Sequence, residues 1–366
     1  MRILYDQQIF SEQEYGGISR YFVSLARTLN GEGLRAQVLA PLHVNGYLST
    51  LDRGVVTGIK VRPVKGTRRA IKAGSAALFA TMARWIRPDI IHASYYEPTG
   101  GTCPATPRVL TIFDMIHERC PDSFAAGDRT AALKAEAVRR AAHIFCISES
   151  TKHDLLDLLP VPEHKISVTY LAADELPPPA AVDHPVLRQR PFLLHVGGRH
   201  GYKNFERALQ AYAASAWLRR TFALACFGGG ILTGAERQAI SRAGLGEEQV
   251  VQLGGDDRIL SALYGQAAAL IYPSLYEGFG IPPLEAMSRG CPVLCSRSSS
   301  LPEVVGDAGI TFDPASVDDI RFTLERVLGS PETLAALRER GFARHRLFTW
   351  RKCADQTMAG YRRVLG

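Results

Sequence analysis

No apolar run in this 366-residue chain approaches the roughly 20 residues a helix needs to cross a bilayer. The first residues, Met1-Arg2-Ile3-Leu4-Tyr5-Asp6, run directly into a strand pattern, so no secretory leader is expected. Cysteine is sparse: the seven, at 103, 120, 146, 226, 291, 295 and 353, are scattered, mostly within apolar runs. Cys291 and Cys295 form no zinc pattern with the others, which leaves reduced, mostly buried thiols of a cytoplasmic protein as the expectation. No Asp-x-Asp falls on a suitable loop and no His/Cys cluster has ligand spacing, so no catalytic metal is expected. Nucleic-acid binding is suggested only by a pI near 9.1, and no aromatic-basic RNP pattern or zinc finger accompanies it. No residue stands out as a nucleophile.

The length is too great for one ordinary core and suits two domains. Apolar residues at 46% and charged residues at 22% fit a soluble globular chain. Short apolar runs alternate with helical patterns, which predicts an α/β fold with mainly parallel sheets, twice over. The first series has strands at 2–5, 37–40, 90–93, 109–112, 143–146 and 166–170, with a helix from Ser19 to Leu29. Residues 175–190 read as a Pro-rich linker around Pro177-Pro178-Pro179. The second series opens at Phe192–Val196 and continues through 222–227, 250–253 and 268–273. Expected boundaries are therefore 1–174, a linker at 175–190, and 191–345. Residues 346–366 form a terminal helix expected to pack back on the first domain.

The densest chemistry lies at Tyr276-Glu277-Gly278-Phe279-Gly280-Ile281-Pro282-Pro283-Leu284-Glu285-Ala286-Met287. An apolar strand ending at Pro273 precedes it. A short helix with Pro in its first turn and a stop at Gly290 follows. Glu277 is thus predicted on a loop at the carboxyl end of a strand, the ligand edge of an open α/β sheet, and Glu285 in the helix that leaves it. Carboxylates accept hydrogen bonds from vicinal hydroxyls, as in sugars and ribose. The amides after Gly278 point to a helix N-terminus, which suits an anion such as phosphate.

This E-G-F-G-I-P-P-L-E-A-M segment resembles the E-x7-E signature of retaining nucleotide-sugar glycosyltransferases of the GT-B fold, family 4. The resemblance implies two Rossmann-like domains facing across a cleft. It implies Glu277, Phe279 and Gly280 on the donor sugar, Gly278 and Ile281 as further donor contacts, and Glu285 on the nucleotide ribose. It also assigns Arg199 and Lys203 to the diphosphate. Both lie in Gly197-Gly198-Arg199-His200-Gly201-Tyr202-Lys203-Asn204, before a helix predicted from Phe205 to Trp217 with Asn204 as its N-cap. Two cations there suit a diphosphate that gains charge as the sugar bond breaks. Gly16 and Gly17 match the N-terminal glycine loop that faces the donor phosphate, and Gly255 falls in a segment expected near the base. Arg20 reads either as a phosphate or acceptor contact or as a helix-surface charge.

In one respect the chain departs from the family. A T-x-H-D pattern is frequent after the strand near residue 110, and here Thr111-Ile112-Phe113-Asp114 stands there. His117 is then the nearest substitute for a donor-contacting histidine, with Asp114 and Glu118 as partners for an acceptor hydroxyl. Retention without a nucleophile implies front-face attack, in which catalysis is positioning and charge stabilisation.

The net charge of +7 is uneven: nine basic residues and no acidic one lie between Arg53 and Arg87. The stretch 69–87 reads as a helix with basic ends about an apolar centre. It is either an ordinary packed helix or a surface for anionic lipid on the inner face of the plasma membrane. The N-terminus resembles bacterial enzymes of surface-polysaccharide assembly, which implies a mannose donor, GDP-mannose before a UDP-sugar, and a glycan or lipid-linked acceptor. No cofactor beyond the substrate is expected. The competing readings are a sugar-nucleotide epimerase and, behind it, a glycogen-type synthase or phosphorylase.

Overall fold

The computed structural model describes residues 1–64, 66–97, 106–246 and 248–366, so Lys65 of the basic segment and Cys103 lie outside it. The chain divides into two compact units, Met1–Leu171 with Thr349–Gly366, and Ala172–Phe348.

In the first unit the chain runs β1 (Arg2–Tyr5), α1 (Gln8–Glu12), α2 (Gly17–Gly31), β2 (Arg35–His43), β3 (Val56–Lys60) and α3 (Arg68–Ile86). It continues through β4 (Ile90–Ala93), β5 (Arg108–Ile112), α4 (Ile116–Arg119), α5 (Thr130–Arg140), β6 (His143–Cys146), α6 (Glu149–Leu158) and β7 (Ile166–Val168). The sheet is parallel throughout, in the order β3-β2-β1-β4-β5-β6-β7. Strand order therefore reverses between β1 and β4, which makes that pair the switch point.

The second unit comprises α7 (Pro185–Gln189), β8 (Phe192–Val196), α8 (Phe205–Ala214), α9 (Ala216–Thr221), β9 (Ala223–Phe227), α10 (Gly234–Arg242) and β10 (Val250–Leu253). Then come α11 (Asp257–Gln266), β11 (Ala269–Tyr272), α12 (Ile281–Ser288), β12 (Val293–Ser296), α13 (Leu301–Val305), β13 (Gly309–Phe312), α14 (Val317–Leu328) and α15 (Pro331–His345). Its parallel sheet runs β10-β9-β8-β11-β12-β13, with the reversal between β8 and β11. Every residue of β8, β9, β11 and β12 is buried, which is why these strands read as continuous apolar runs rather than as alternation.

The last helix, α16 (Trp350–Leu365), belongs to the first unit. The Tyr361 hydroxyl lies 2.6 Å from His92 Nδ1 in β4, and Thr111 Oγ1 of β5 lies 2.8 Å from His92 Nε2. All three groups are buried, so the helix is tied to the sheet through polar atoms that have no access to water.

Several elements differ from the sequence reading. The helix expected from Phe205 to Trp217 breaks at Ser215, whose side chain caps α9 instead. The Pro-rich segment is not a free connector. Leu176 is buried, Ala180 N–H donates to the Arg258 carbonyl at 3.1 Å, and Arg289 donates to the Pro177 carbonyl at 2.7 Å. β3 is an edge strand with four exposed residues out of five and leaves no apolar pattern. It approaches β2 so closely that a Cβ on Gly58 would lie 1.8 Å from the Ala40 carbonyl oxygen. Of the described cysteines, all six are free, and all but Cys120 are buried.

Candidate functional site

The second unit's switch point brings together the two loops singled out in the sequence. One leaves β8 and carries Gly197–Asn204, and the other leaves β11 and carries Glu277. Lys203 Nζ donates to Glu277 Oε1 at 2.7 Å. The same ammonium lies over the rings of Tyr202 and Tyr272, at 5.1 and 5.7 Å from their centroids. The loop after Glu277 is pinned from the β12–α13 connection. Glu277 N–H donates to Ser299 Oγ at 2.8 Å, and the Ser300 hydroxyl shares its proton between the carbonyls of Glu277 and Phe279, at 2.9 and 2.7 Å. Gly280 adopts φ +114° at the N-cap of α12, and a Cβ there would press to 2.7 Å from Leu301. Glycine is needed on both counts. α12 has no side-chain cap, and because Pro282 and Pro283 carry no N–H, the backbone donors at its start are those of Gly280 and Ile281. Phe279 itself is buried and packs edge-on to Phe348, which leaves its backbone rather than its ring to a ligand.

Glu285, in the middle of α12, is buried and accepts from the Tyr264 hydroxyl at 3.2 Å. Burial, reinforced by the Glu277 carboxylate, raises the Tyr272 phenol well above the usual value. Tyr264 is raised likewise by burial and then by Glu285. Lys203, Glu277, Tyr272, Tyr264 and Glu285 thus form one electrostatically linked series. Sequence reasoning passed over both tyrosines, because at the ends of α11 and β11 they look like core residues.

Arg199 requires a correction. Its side chain is 1% exposed. It donates to Glu236 at 2.8 Å and to the carbonyls of Gly228 and Gly230 at 2.6 and 2.9 Å. Gly228, Gly229 and Gly230 all have positive φ (81°, 68° and 74°), so three successive carbonyls can turn onto one guanidinium. The expected diphosphate ligand is instead the hub of the β9–α10 loop. Asn204 holds the N-cap position of α8, but its side chain makes no capping hydrogen bond. It sits at φ +58°, and its amide donates to the carbonyls of Pro273 and Pro314 at 2.9 and 2.8 Å, stapling the two switch-point loops. Gly255 (φ +147°) precedes Asp256, whose side chain caps α11.

In the first unit, Asp6 at the end of β1 accepts from Ser94 N–H and Oγ, at 2.9 and 2.6 Å, across the switch point to β4. Burial raises its carboxyl above the usual range. Gly16 precedes and Gly17 begins α2. The Gln13 side chain lies against Gly16 and accepts from Ser19 N–H at 3.3 Å.

Asp114 Oδ1 accepts from Ile116 N–H at 3.1 Å. Lys134, fully buried, donates to the Asp114 carbonyl at 2.8 Å and to Glu118 at 2.9 Å, which commits Glu118 to a structural ion pair. His117 stacks on Phe124 with ring centroids 3.9 Å apart. Phe113 fills its place in an aromatic cluster with Tyr21 and Phe22.

On α3, Ser75, Phe79 and Ala83 are buried, while Leu78 and Trp85 are exposed, Trp85 by 85%. Lys72 is held by Glu12 and Glu97 at 2.6 and 2.7 Å. Among the described residues no helix is long and apolar enough to cross a membrane, and no group of three or more His, Cys, Asp or Glu is placed to hold a metal ion.

Residues 182–344 match the family described as glycosyl transferases group 1, and residues 15–175 match glycosyltransferase family 4. The chain is 34% identical over 298 residues to the O-antigen chain mannosyltransferase B of Escherichia coli, an alignment covering 76% of each. Among solved structures, Anabaena HepE in complex with UDP and glucose matches at a TM-score of 0.74 with 18% identity, covering 98% of both chains. WaaG, a glycosyltransferase involved in lipopolysaccharide biosynthesis, matches at 0.72 with 16% identity, covering 97% of this chain and 98% of that one. At these identities the structural likeness carries the GT-B fold alone.

Proposed function

The chain belongs to the group 1 and family 4 glycosyltransferases, and we propose that it transfers mannose from a nucleotide diphosphate sugar to a glycan or lipid-linked acceptor. GDP-mannose is the donor in this reading, ahead of a UDP-sugar. The sugar follows the name of the E. coli relative, aligned over three quarters of each chain. The observation that carries the chemistry is the Lys203–Glu277 pair at the β8/β11 switch point. A carboxylate and an ammonium at that edge, beside the Gly280 and Ile281 amides at the start of α12, match a ligand that has sugar hydroxyls at one end and a diphosphate at the other.

The proposed reaction is direct and retaining. The acceptor hydroxyl oxygen bonds to the anomeric carbon on the face that the nucleotide leaves. The bond from that carbon to the phosphate oxygen breaks, and the departing phosphate takes the hydroxyl proton. Lys203 stabilises the charge that grows on that phosphate, supplying without a metal what a cation must supply. Glu277 orients the sugar and Glu285 the ribose. Asp114 is the group we assign to the acceptor hydroxyl.

Peripheral contact with an anionic membrane is part of the reading. Trp85 and Leu78 stand exposed on a helix flanked by Arg68, Arg69, Arg84 and Arg87, an arrangement that suits an acidic lipid surface.

Calorimetry with GDP and UDP, followed by transfer assays with the matching mannose or glucose donors, tests the proposal. Tighter GDP binding with mannose appearing on the acceptor supports it. Tighter UDP binding overturns the choice of donor. A donor returned isomerised, with no sugar on the acceptor by NMR, makes the protein an epimerase.

A further inference from the structure

The second motif glutamate, Glu285, is held by a tyrosine. The Tyr264 hydroxyl, in α11, donates to Glu285 Oε2 at 3.2 Å, and Tyr264 is fully buried.

We infer that Tyr264 is a positioning residue that fixes the carboxylate plane of Glu285 for the ribose; this rests on the donor roles proposed above. The terminal torsion of a glutamate is broad and nearly two-fold, so packing alone sets it poorly. A carboxylate that must accept from two vicinal hydroxyls works only if its plane is set before the ligand arrives. A phenol supplies one donor and, in the core, cannot move away. Its hydrogen bond to an ionised acceptor is of the stronger kind. It takes up one lone pair of one carboxylate oxygen.

The test uses the full chain with Tyr264→Phe, which keeps the ring and the packing. Binding is read with whichever of GDP and UDP the wild type binds more tightly. Losing a hydrogen bond to a charged group costs about tenfold or more. Tyr264→Phe should raise the nucleotide Kd and the donor KM by about tenfold and leave kcat within about twofold. Added to Glu285→Gln, Tyr264→Phe should cause no further loss of binding, because the two act as one unit. That double variant holds no unpaired buried charge, so it serves even where the single one folds poorly. Full additivity in the cycle, or a Tyr264→Phe variant with wild-type Kd, KM and kcat, overturns the inference while the donor reading stands. A wild type that binds neither nucleotide removes the donor reading, and this inference falls with it.

Discussion

Lys203 and Glu277, 74 positions apart in sequence, form a 2.7 Å ion pair that joins the loops leaving β8 and β11. The ammonium is 20% exposed and the carboxylate 13%, so each is the other's main neutraliser in a partly dry site. An ammonium has three N–H donors, so the Glu277 contact is compatible with a second contact to phosphate.

Lys203→Ala should lower the transfer rate by about 10²–10³, the usual loss when one charge-stabilising donor is removed. Circular dichroism should stay native, because the residue lies on a loop. Steady-state kinetics check this. Near-normal turnover would take Lys203 out of the mechanism.

Arg199 should behave as a structural residue. Its replacement by Ala strands Glu236 and three carbonyls, and breaking a buried pair costs about 3–5 kcal/mol. The melting temperature should fall by several degrees, and Arg199→Lys should recover only part, since an ammonium cannot reproduce the fork. A variant with an unchanged melting temperature and a collapsed kcat would return Arg199 to the diphosphate.

The basic helix can be tested without disturbing its packing. Lys72 must be left alone, because it is bound to Glu12 and Glu97. Arg68→Glu, Arg69→Glu and Trp85→Ser together should abolish pelleting with acidic liposomes, while turnover on a short soluble acceptor is kept. Wild-type pelleting should fade as salt rises and the screening length shrinks to about 8 Å at physiological ionic strength. Equal pelleting with neutral and acidic vesicles would show that charge plays no part.

Acid should weaken the fold through three histidines. Burial pushes His92 down to about 3 and both His143 and His195 down to about 4. In an unfolded chain they return to about 6.5. Between those values the unfolded state binds more protons, so stability rises with pH across the window and is lost as pH falls through it. The melting temperature should be flat above pH 7 and drop steadily from pH 6.5 to 4. His195→Gln, which can still donate to the Gly198 carbonyl that His195 Nε2 now meets at 3.1 Å, should make the drop shallower.

Much of this was readable in advance because its signals are local. The β11–loop–α12 unit announces itself through one apolar run, one pair of glycines and one pair of prolines. The direction of Arg199 had no such signal. A cation after a strand looks the same whether it faces a ligand or folds back, and the deciding partner, Glu236, lies 37 residues on. Asn204 failed for a related reason. An asparagine before a helix reads as a cap, but its left-handed backbone turns the amide toward Pro273 and Pro314, which are distant in sequence. β3 left no trace, since an exposed edge strand needs no apolar face. Tyr264 reads as packing because the burial that makes it useful also makes it look ordinary.

The return of α16 to the first unit has a consequence for the order of assembly. All of Ala172–Phe348 is synthesised between the two parts of the first unit. The first unit therefore waits for the end of translation to gain Tyr361, the hydroxyl partner of His92. Until then His92 and the neighbouring Tyr5 face an open groove that water can enter. Chains truncated before residue 349 should keep the second unit whole and leave the first unfinished, the state in which chaperones would find such a chain.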